Sequence, residues 1–446
     1  MARKYFGTDG IRGRVNTPPM TAESALRLAI AAARTFAPNG GREVVIGRDT
    51  RRSGQMIEAA LIAGLTSMGL KPVLLGIVPT PTVALMTRET GAALGLMVSA
   101  SHNKSDDNGI KLFSPAGIKL TDAEEEALEA AMASAFEGDF APPPAISTPH
   151  HMKGATTLYL ERCLETVGTD IDFSGLKIVL DCAHGAAYEV GPAALRQLGA
   201  DVTIIGDTPD GLNINAGVGS TATGLLKSTV TETGADIGIA FDGDADRVIV
   251  IDELGEEVDG DQVMALIAGE LHRANRLKGG GMVATIMSNM GLAEYLKGLD
   301  LTLARTKVGD RYVGEHMRQH GFNLGGEQSG HIILSDVSTT GDGLLAALQV
   351  LKTLASSDRP ASSIMRVFEP APQELVNIPF NGSNPLESSG VGDALTQADE
   401  LLGERGRMVV RKSGTEPLIR VMAEALDEEL MHRALSLVVA AVQAEA

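Results

Sequence analysis

Short apolar runs alternate with amphipathic stretches along most of the chain. Glu43–Gly47 (EVVIG) reads as a buried strand, and Gln55–Met68 follows with apolar residues at helical spacing. Pro72–Ile77 predicts a strand, Thr80–Arg88 a helix and Ala93–Val98 (ALGLMV) another strand. That β-α-β-α-β order belongs to a mostly parallel sheet covered by helices. The pattern returns with strand Leu176–Cys182, helix Ala186–Leu198, strand Asp201–Ile205, helix Leu225–Gly234 and strand Asp236–Phe241. A third unit starts at Met282–Ile286 and runs through Leu292–Lys297, Leu301–Ala304 and Val313–His320. Direct identity between the three units is weak. The Pro-rich segment Ala141–His150 reads as a linker. Beyond Pro360 the texture changes. Gly, Ser, Asn and Pro dominate Asn381–Pro385 and Ser388–Gly392, then strands at Arg407–Arg411 and Ile419–Ala423 precede a helix at Glu428–Gln443. This predicts a smaller α+β unit.

Composition narrows what such a chain does. Its 446 residues exceed one ordinary core. With 38 basic and 57 acidic residues the net charge is −19, a field that repels nucleic acid but allows a local basic pocket for a small anion. Aromatics are 3% with no Trp, so stacking on bases is not expected, while 51 glycines suit many tight strand-to-helix turns. The start, MARKYFGTDG, carries no apolar signal stretch, and no window has about 18 uncharged apolar residues, so no membrane span is expected. Cys163 and Cys182 lack zinc spacing and read as reduced thiols in a cytoplasmic protein.

Five segments carry candidate chemistry. Ser99-Ala100-Ser101-His102-Asn103 follows strand Ala93–Val98, where α/β folds place ligands. Its hydroxyls suit a nucleophile or phosphate carrier; the same residues also suit a helix N-cap and turn. The nucleophile-elbow pattern G-x-S-x-G is missing around both serines. Asp242-Gly243-Asp244-Ala245-Asp246-Arg247 follows strand Asp236–Phe241. In an extended segment its carboxylates at i, i+2 and i+4 project to one side, and their repulsion calls for a hard cation such as Mg²⁺ or Ca²⁺. An EF-hand is excluded, because Arg247 stands where that loop needs Gly. Gly325-Gly326-Glu327-Gln328-Ser329-Gly330-His331 offers hydrogen bonds of the kind sugar hydroxyls need, or forms a polar hairpin turn. Arg411-Lys412-Ser413-Gly414-Thr415-Glu416-Pro417, with Arg420 beyond, makes a phosphate cradle or an exposed basic turn, without the Walker A pattern. Gly7–Gly13 bends around Arg12, and Lys111 in Asn108–Lys111 is either a proton-transfer group or an ordinary lysine.

Taken together, in order and across Tyr5 to Arg420, these five segments resemble the α-D-phosphohexomutase superfamily. The resemblance implies three similar α/β domains with mixed, mostly parallel sheets plus a C-terminal α+β domain around a central cleft. The expected boundaries are 1–155, 156–255, 256–368 and 369–446. It implies that Ser101 is phosphorylated and that Mg²⁺ is held by Asp242, Asp244 and Asp246 with Ser101. Arg12, His102, Lys111, Arg247 and His331 would serve catalysis, with Lys111 the first candidate for general acid/base and His331 the second. A basic lysine there needs a lowered pKa. Glu327 and Ser329 would contact the sugar, and Arg411, Ser413, Gly414, Thr415 and Arg420 its distal phosphate. Gln328 resembles the phosphoglucosamine branch, which implies interconversion of glucosamine 6- and 1-phosphates through a 1,6-bisphosphate, feeding UDP-N-acetylglucosamine synthesis. Mannose or glucose phosphates, a phosphatase, and a silent sugar-phosphate-binding protein are the alternatives. The partner implied is a small-molecule sugar phosphate, with a homodimer among the allowed assemblies. Two positions depart from the pattern. Lys104 stands where Pro is usual, and Ala245 where Gly is common, so Ala245 is expected to avoid positive φ.

Overall fold

The computed structural model describes residues 5–7, 9–381, 384–412 and 418–446, and among them eighteen strands fall into four sheets. The first sheet contains β1 (Ile11–Arg14), β2 (Glu43–Arg48), β3 (Lys71–Ile77), β4 (Leu94–Val98), β5 (Asp107–Phe113) and β6 (His150–His151), in spatial order β1-β5-β4-β2-β3-β6. The second contains β7 (Lys177–Asp181), β8 (Asp201–Ile205), β9 (Ile237–Phe241), β10 (Val248–Asp252) and β11 (Glu257–Val258), ordered β11-β10-β9-β7-β8. The third contains β12 (Gly281–Thr285), β13 (Thr302–Thr306), β14 (Leu324–Gly326) and β15 (Ile332–Leu334), ordered β13-β12-β14-β15.

One plan underlies all three. The first strand of each parallel trio sits in the middle, the second pairs on one side and the third on the other. An antiparallel strand then folds back onto the third: β5 on β4, β10 on β9, β15 on β14. β4, β9 and β12 are buried at every residue, as strands covered on both faces must be. The expected parallel strands are therefore present, but the antiparallel returns are additional to them. The segment read as a linker ends in β6, which pairs with β3 as an edge strand.

Helices close the layers, and their starts follow side-chain capping. Thr121 and Glu124 form a capping box on Asp122–Ala133, and Asp342 caps Gly343–Ala355. The second and third units share one apolar core containing Phe173, Phe241, Met264 and Leu345. The fourth sheet, β16 (Gln373–Pro379), β17 (Gly406–Lys412) and β18 (Leu418–Ala425), is antiparallel and packs its own core under helices Ser389–Leu402 and Glu428–Glu445.

Candidate active site

The shared plan gives each α/β unit a hairpin between its third parallel strand and the antiparallel return. Those hairpins are the Ser101 loop, the Asp242–Arg247 loop and the Glu327–His331 loop. They meet. The Ser101 hydroxyl donates to Asp242 Oδ2 at 2.5 Å, and the Val248 amide donates to the Gly330 carbonyl at 3.0 Å. His331 Nδ1 lies 3.6 Å from Asp246 Oδ1. Gly243 allows the first two loops to touch, since a Cβ there would fall 2.6 Å from the Ser101 carbonyl oxygen.

The three aspartates converge through a turn, not through strand alternation. The Ala245 amide donates to the Asp242 carbonyl, and Ala245 has φ 56. The expectation that Ala245 avoids positive φ is wrong: the tight turn needs the left-handed region, and alanine adopts it at a cost of about 1–2 kcal/mol. Ser101 is also left-handed, with φ 52. Asp242, Asp244 and Asp246 are buried, with candidate ligand oxygens all within 4.8 Å of one another. Burial, then the neighbouring Asp246 and Asp244 charges, push Asp242 up to about 8. Asp244 Oδ1 has no hydrogen-bond partner, although Thr80 Oγ1 donates to its Oδ2. An all-oxygen, mutually repelling set with an orphaned acceptor fits a hard divalent cation.

Lys111 enters from β5 and is buried. Its Nζ is 2.7 Å from Asp244, 2.6 Å from Asp246 and 3.4 Å from Asp9. Burial pulls its pKa down, but Asp244, Asp246 and Asp9 outweigh it and hold it well above the ordinary lysine range. In this arrangement the lysine pairs with the same aspartates that would hold a cation. His331 is similar. Burial opposes its charge, but Asp310 at 2.9 Å and Asp246 push its pKa up to about 10, while the Gly341 amide donates to its Nε2 at 3.1 Å. His102 differs: its Nδ1 lies 3.5 Å from Ser101 Oγ, and burial followed by Arg247 and Arg12 bring it down to about 4. The Arg247 amide donates to Asp242 Oδ1, and its buried Nε has no hydrogen-bond partner. Arg12, on β1, is a quarter exposed and lies 3.8 Å from Asp9. One further cation completes the cluster: Lys119 joins Asp9 at 2.8 Å to Asp310 at 2.5 Å.

Glu327 accepts from the Gly309 amide at 3.0 Å. Ser329 is exposed at the tip of the β14–β15 hairpin, so the loop is indeed a polar hairpin turn. Gln328 donates to Asp259 at 3.0 Å. On the fourth sheet Arg411 and Arg420 are directly opposite each other in the β17–β18 register. Like charges in that position repel, and burial and Arg420 both lower the Arg411 pKa. Ser413, Gly414 and Thr415, like Thr8, lie outside the described residues.

Asp9, Lys119, Thr80 and Asp310 belong to the site but escape a reading of the sequence, because each is a single polar residue whose partner is over a hundred positions away or on another unit. Asp49 and Arg51, which support the Ser101 loop, carried one signal: Asp49-Thr50-Arg51 follows the carboxyl end of a buried parallel strand.

The chain matches "Phosphoglucomutase/phosphomannomutase, alpha/beta/alpha domain I" over residues 3–139, domain II over 152–255, domain III over 259–371 and the C-terminal domain over 375–441. It belongs to the phosphoglucomutase/phosphomannomutase family, the α-D-phosphohexomutases. Among curated relatives, the phosphoglucosamine mutase of Hyphomonas neptunium is 73% identical over 446 residues, covering 100% of this chain and 99% of the relative. The phosphoglucosamine mutase of Caulobacter vibrioides is 53% identical over 444 residues, 99% of each. Solved structures share the fold. A phosphoglucomutase/phosphomannomutase family protein of Burkholderia thailandensis superposes with TM-score 0.83 at 24% identity, covering 98% of this chain and 97% of that one. Aspergillus fumigatus N-acetylphosphoglucosamine mutase, solved with GlcNAc-6P and magnesium, superposes with TM-score 0.61 at 19% identity over 99% and 96%. No helix among the described residues is long and apolar enough to cross a membrane, and both cysteines are free and buried.

Proposed function

We propose that this chain is a cytoplasmic phosphoglucosamine mutase that interconverts glucosamine 6-phosphate and glucosamine 1-phosphate, with Ser101 as the phosphoryl carrier. The observation that carries the reading is the Ser101 hydroxyl, 2.5 Å from Asp242 at the meeting point of three hairpins. In the first half-reaction the bond between phosphorus and Ser101 Oγ breaks and a bond from phosphorus to the sugar oxygen forms, giving a 1,6-bisphosphate. The sugar hydroxyl loses its proton and Ser101 Oγ gains one. The second half-reaction is the reverse, with the other phosphate returning to Ser101. Such transfers depend on positioning and neutralised charge. Asp242, Asp244 and Asp246, with the phosphoserine, would hold Mg²⁺, which supplies Lewis-acid stabilisation of the transferring group. Arg247, whose Nε makes no hydrogen bond, and Arg12 bind phosphate oxygens. Lys111 and His331 keep the carboxylates in place through ion pairs and are, in that order, the candidates for the general acid/base. His102 Nδ1, 3.5 Å from Ser101 Oγ, stands beside the carrier oxygen. Arg411 and Arg420 relieve their mutual repulsion on the phosphate that is not reacting.

The glucosamine preference rests on the full-length similarity to phosphoglucosamine mutases, not on a contact from Gln328, which is engaged by Asp259. Intact-mass analysis should find one phosphate on Ser101, and kcat/KM should be higher for glucosamine phosphates than for mannose or glucose phosphates. Equal or higher efficiency with mannose 1-phosphate would move the reading to a phosphomannomutase.

A further inference from the structure

The Ser101 loop is held in a conformation it would not choose. Ser101 has φ 52, and a left-handed non-glycine residue persists only where surroundings over-determine it. The surroundings here are largely one side chain. Arg51 is fully buried, and its hydrogen bonds go to Asp49 and to loop carbonyls, not to any of the three aspartates. Its Nη2 donates to the carbonyls of Ser101 at 2.9 Å and Asn103 at 2.6 Å. Its Nη1 donates to the carbonyls of Lys104 and, at 3.1 Å, Asp107. Its Nε is locked on Asp49 Oδ2 at 2.8 Å, and its own amide on Asp49 Oδ1 at 2.9 Å. Asp49 Oδ2 also accepts from the Ser99 hydroxyl at 2.7 Å, and that oxygen accepts from the Ser101 amide at 2.9 Å. From the second unit, Asn215 Nδ2 donates to the same Ser101 and Asn103 carbonyls, at 2.9 Å each.

The backbone from Ser101 to Asp107 is thus coiled around a guanidinium. Four of its carbonyls, those of Ser101, Asn103, Lys104 and Asp107, are drawn toward the arginine. The carbonyl of Lys104, which stands where Pro is usual, is among those held by Arg51.

We infer that Arg51, oriented by Asp49, is the positioning residue that fixes Ser101 Oγ for phosphoryl transfer. The inference rests on Ser101 being the phosphoryl carrier. Lysine cannot replace the arginine, because the planar fork reaches four carbonyls at once while an ammonium is a single point donor on a flexible stem. A displacement of the carrier oxygen by an ångström is worth about 100-fold in rate. Substrate affinity, held elsewhere by the sugar and distal-phosphate groups, is not expected to move with it.

The test uses full-length wild type, Arg51→Lys, Arg51→Ala and Asp49→Asn, each stripped of phosphate and then mixed with glucose 1,6-bisphosphate. Phosphorylation of Ser101 is followed by intact mass, and steady-state turnover in parallel. In Arg51→Lys the phosphorylation rate and kcat should fall by about 100-fold with KM within about threefold of wild type. In Arg51→Ala added guanidinium ion at millimolar concentration should restore part of the rate, which a lost structural contact would not show. Should the Arg51 variants not fold, Asp49→Asn gives the same split with the side-chain volume kept. If wild type acquires no phosphate on Ser101, the carrier reading itself fails. If wild type is phosphorylated and the folded variants match its rate, or lose KM and not kcat, the positioning role is overturned.

Discussion

Replacing Lys111 by methionine keeps an unbranched side chain one atom shorter and removes one charge from the centre of the cluster. The ammonium has two contacts, 2.7 and 2.6 Å, to carboxylates that are themselves buried. At an effective dielectric of about 20, each is worth about 6 kcal/mol of gross attraction. Dehydrating the ammonium takes back several kcal/mol, and measured costs of breaking one side of a buried pair are about 3–5 kcal/mol. We expect a loss of that size for Lys111→Met at pH 7.5, seen as a fall on the order of 10 °C in the first thermal transition. Two signatures identify its electrostatic origin. Magnesium should raise the transition of the variant more than that of wild type, because a divalent cation replaces the missing charge. The gap should also narrow with acid. Asp246 in wild type is held well below its ordinary value, with burial opposed chiefly by Lys111 and His331. Without Lys111 its folded pKa rises, and the penalty of the unpaired carboxylate is present above that pKa and relieved as pH falls through it. Differential scanning fluorimetry from pH 8 to 5, with and without magnesium, reads both effects. A gap below about 1 kcal/mol at pH 7.5, or one that widens toward pH 5, would refute this account of the cluster.

Three shorter expectations accompany it. Ser101→Ala should abolish turnover and shift stability by under about 1 kcal/mol, checked by coupled assay and thermal melts; full activity would move attention to Ser99. Arg420→Ala should weaken transition-state binding by about 2–4 kcal/mol in both reaction directions, with Ser101 phosphate unchanged by intact mass. Asp261 is pushed up to about 7 by burial and then Asp259, so its contribution favours folding at low pH and fades as pH rises from about 4 through 7. Asp261→Asn, which can still accept from the Asn289 amide, should flatten that part of the urea-unfolding profile; an unchanged profile would contradict the assignment.

Much of the scaffold was legible because buried parallel strands are short apolar runs that need no partner to be recognised. Glu43–Arg48, Leu94–Val98 and Ile237–Phe241 all appear where the pattern puts them. The antiparallel returns were harder. Asp107–Phe113 carries Asp, Asn, Gly and Lys, and its polar residues serve the site rather than a solvent face. The aspartate motif signalled a metal, but its geometry comes from a left-handed alanine that spacing does not reveal. Lys111 could be found as a residue, while its protonation state depended on Asp9, Asp244 and Asp246, which approach it from two units.

The partition of cores has a mechanical consequence. The three hairpins form a vertex whose parts interlock through buried charge, and the second and third units beneath it are fused by one apolar core. The fourth sheet has a core of its own, and its described side-chain bonds to the neighbouring unit are polar, among them Arg407 to the Ser288 carbonyl and the Met290 amide to Glu424. Polar seams part more easily than apolar ones. On the function proposed above, a bisphosphate that turns end for end would be let go at the Arg411–Arg420 end while the vertex stays closed. On that reading grip and chemistry would be on units with separate cores, so one could loosen without disassembling the other.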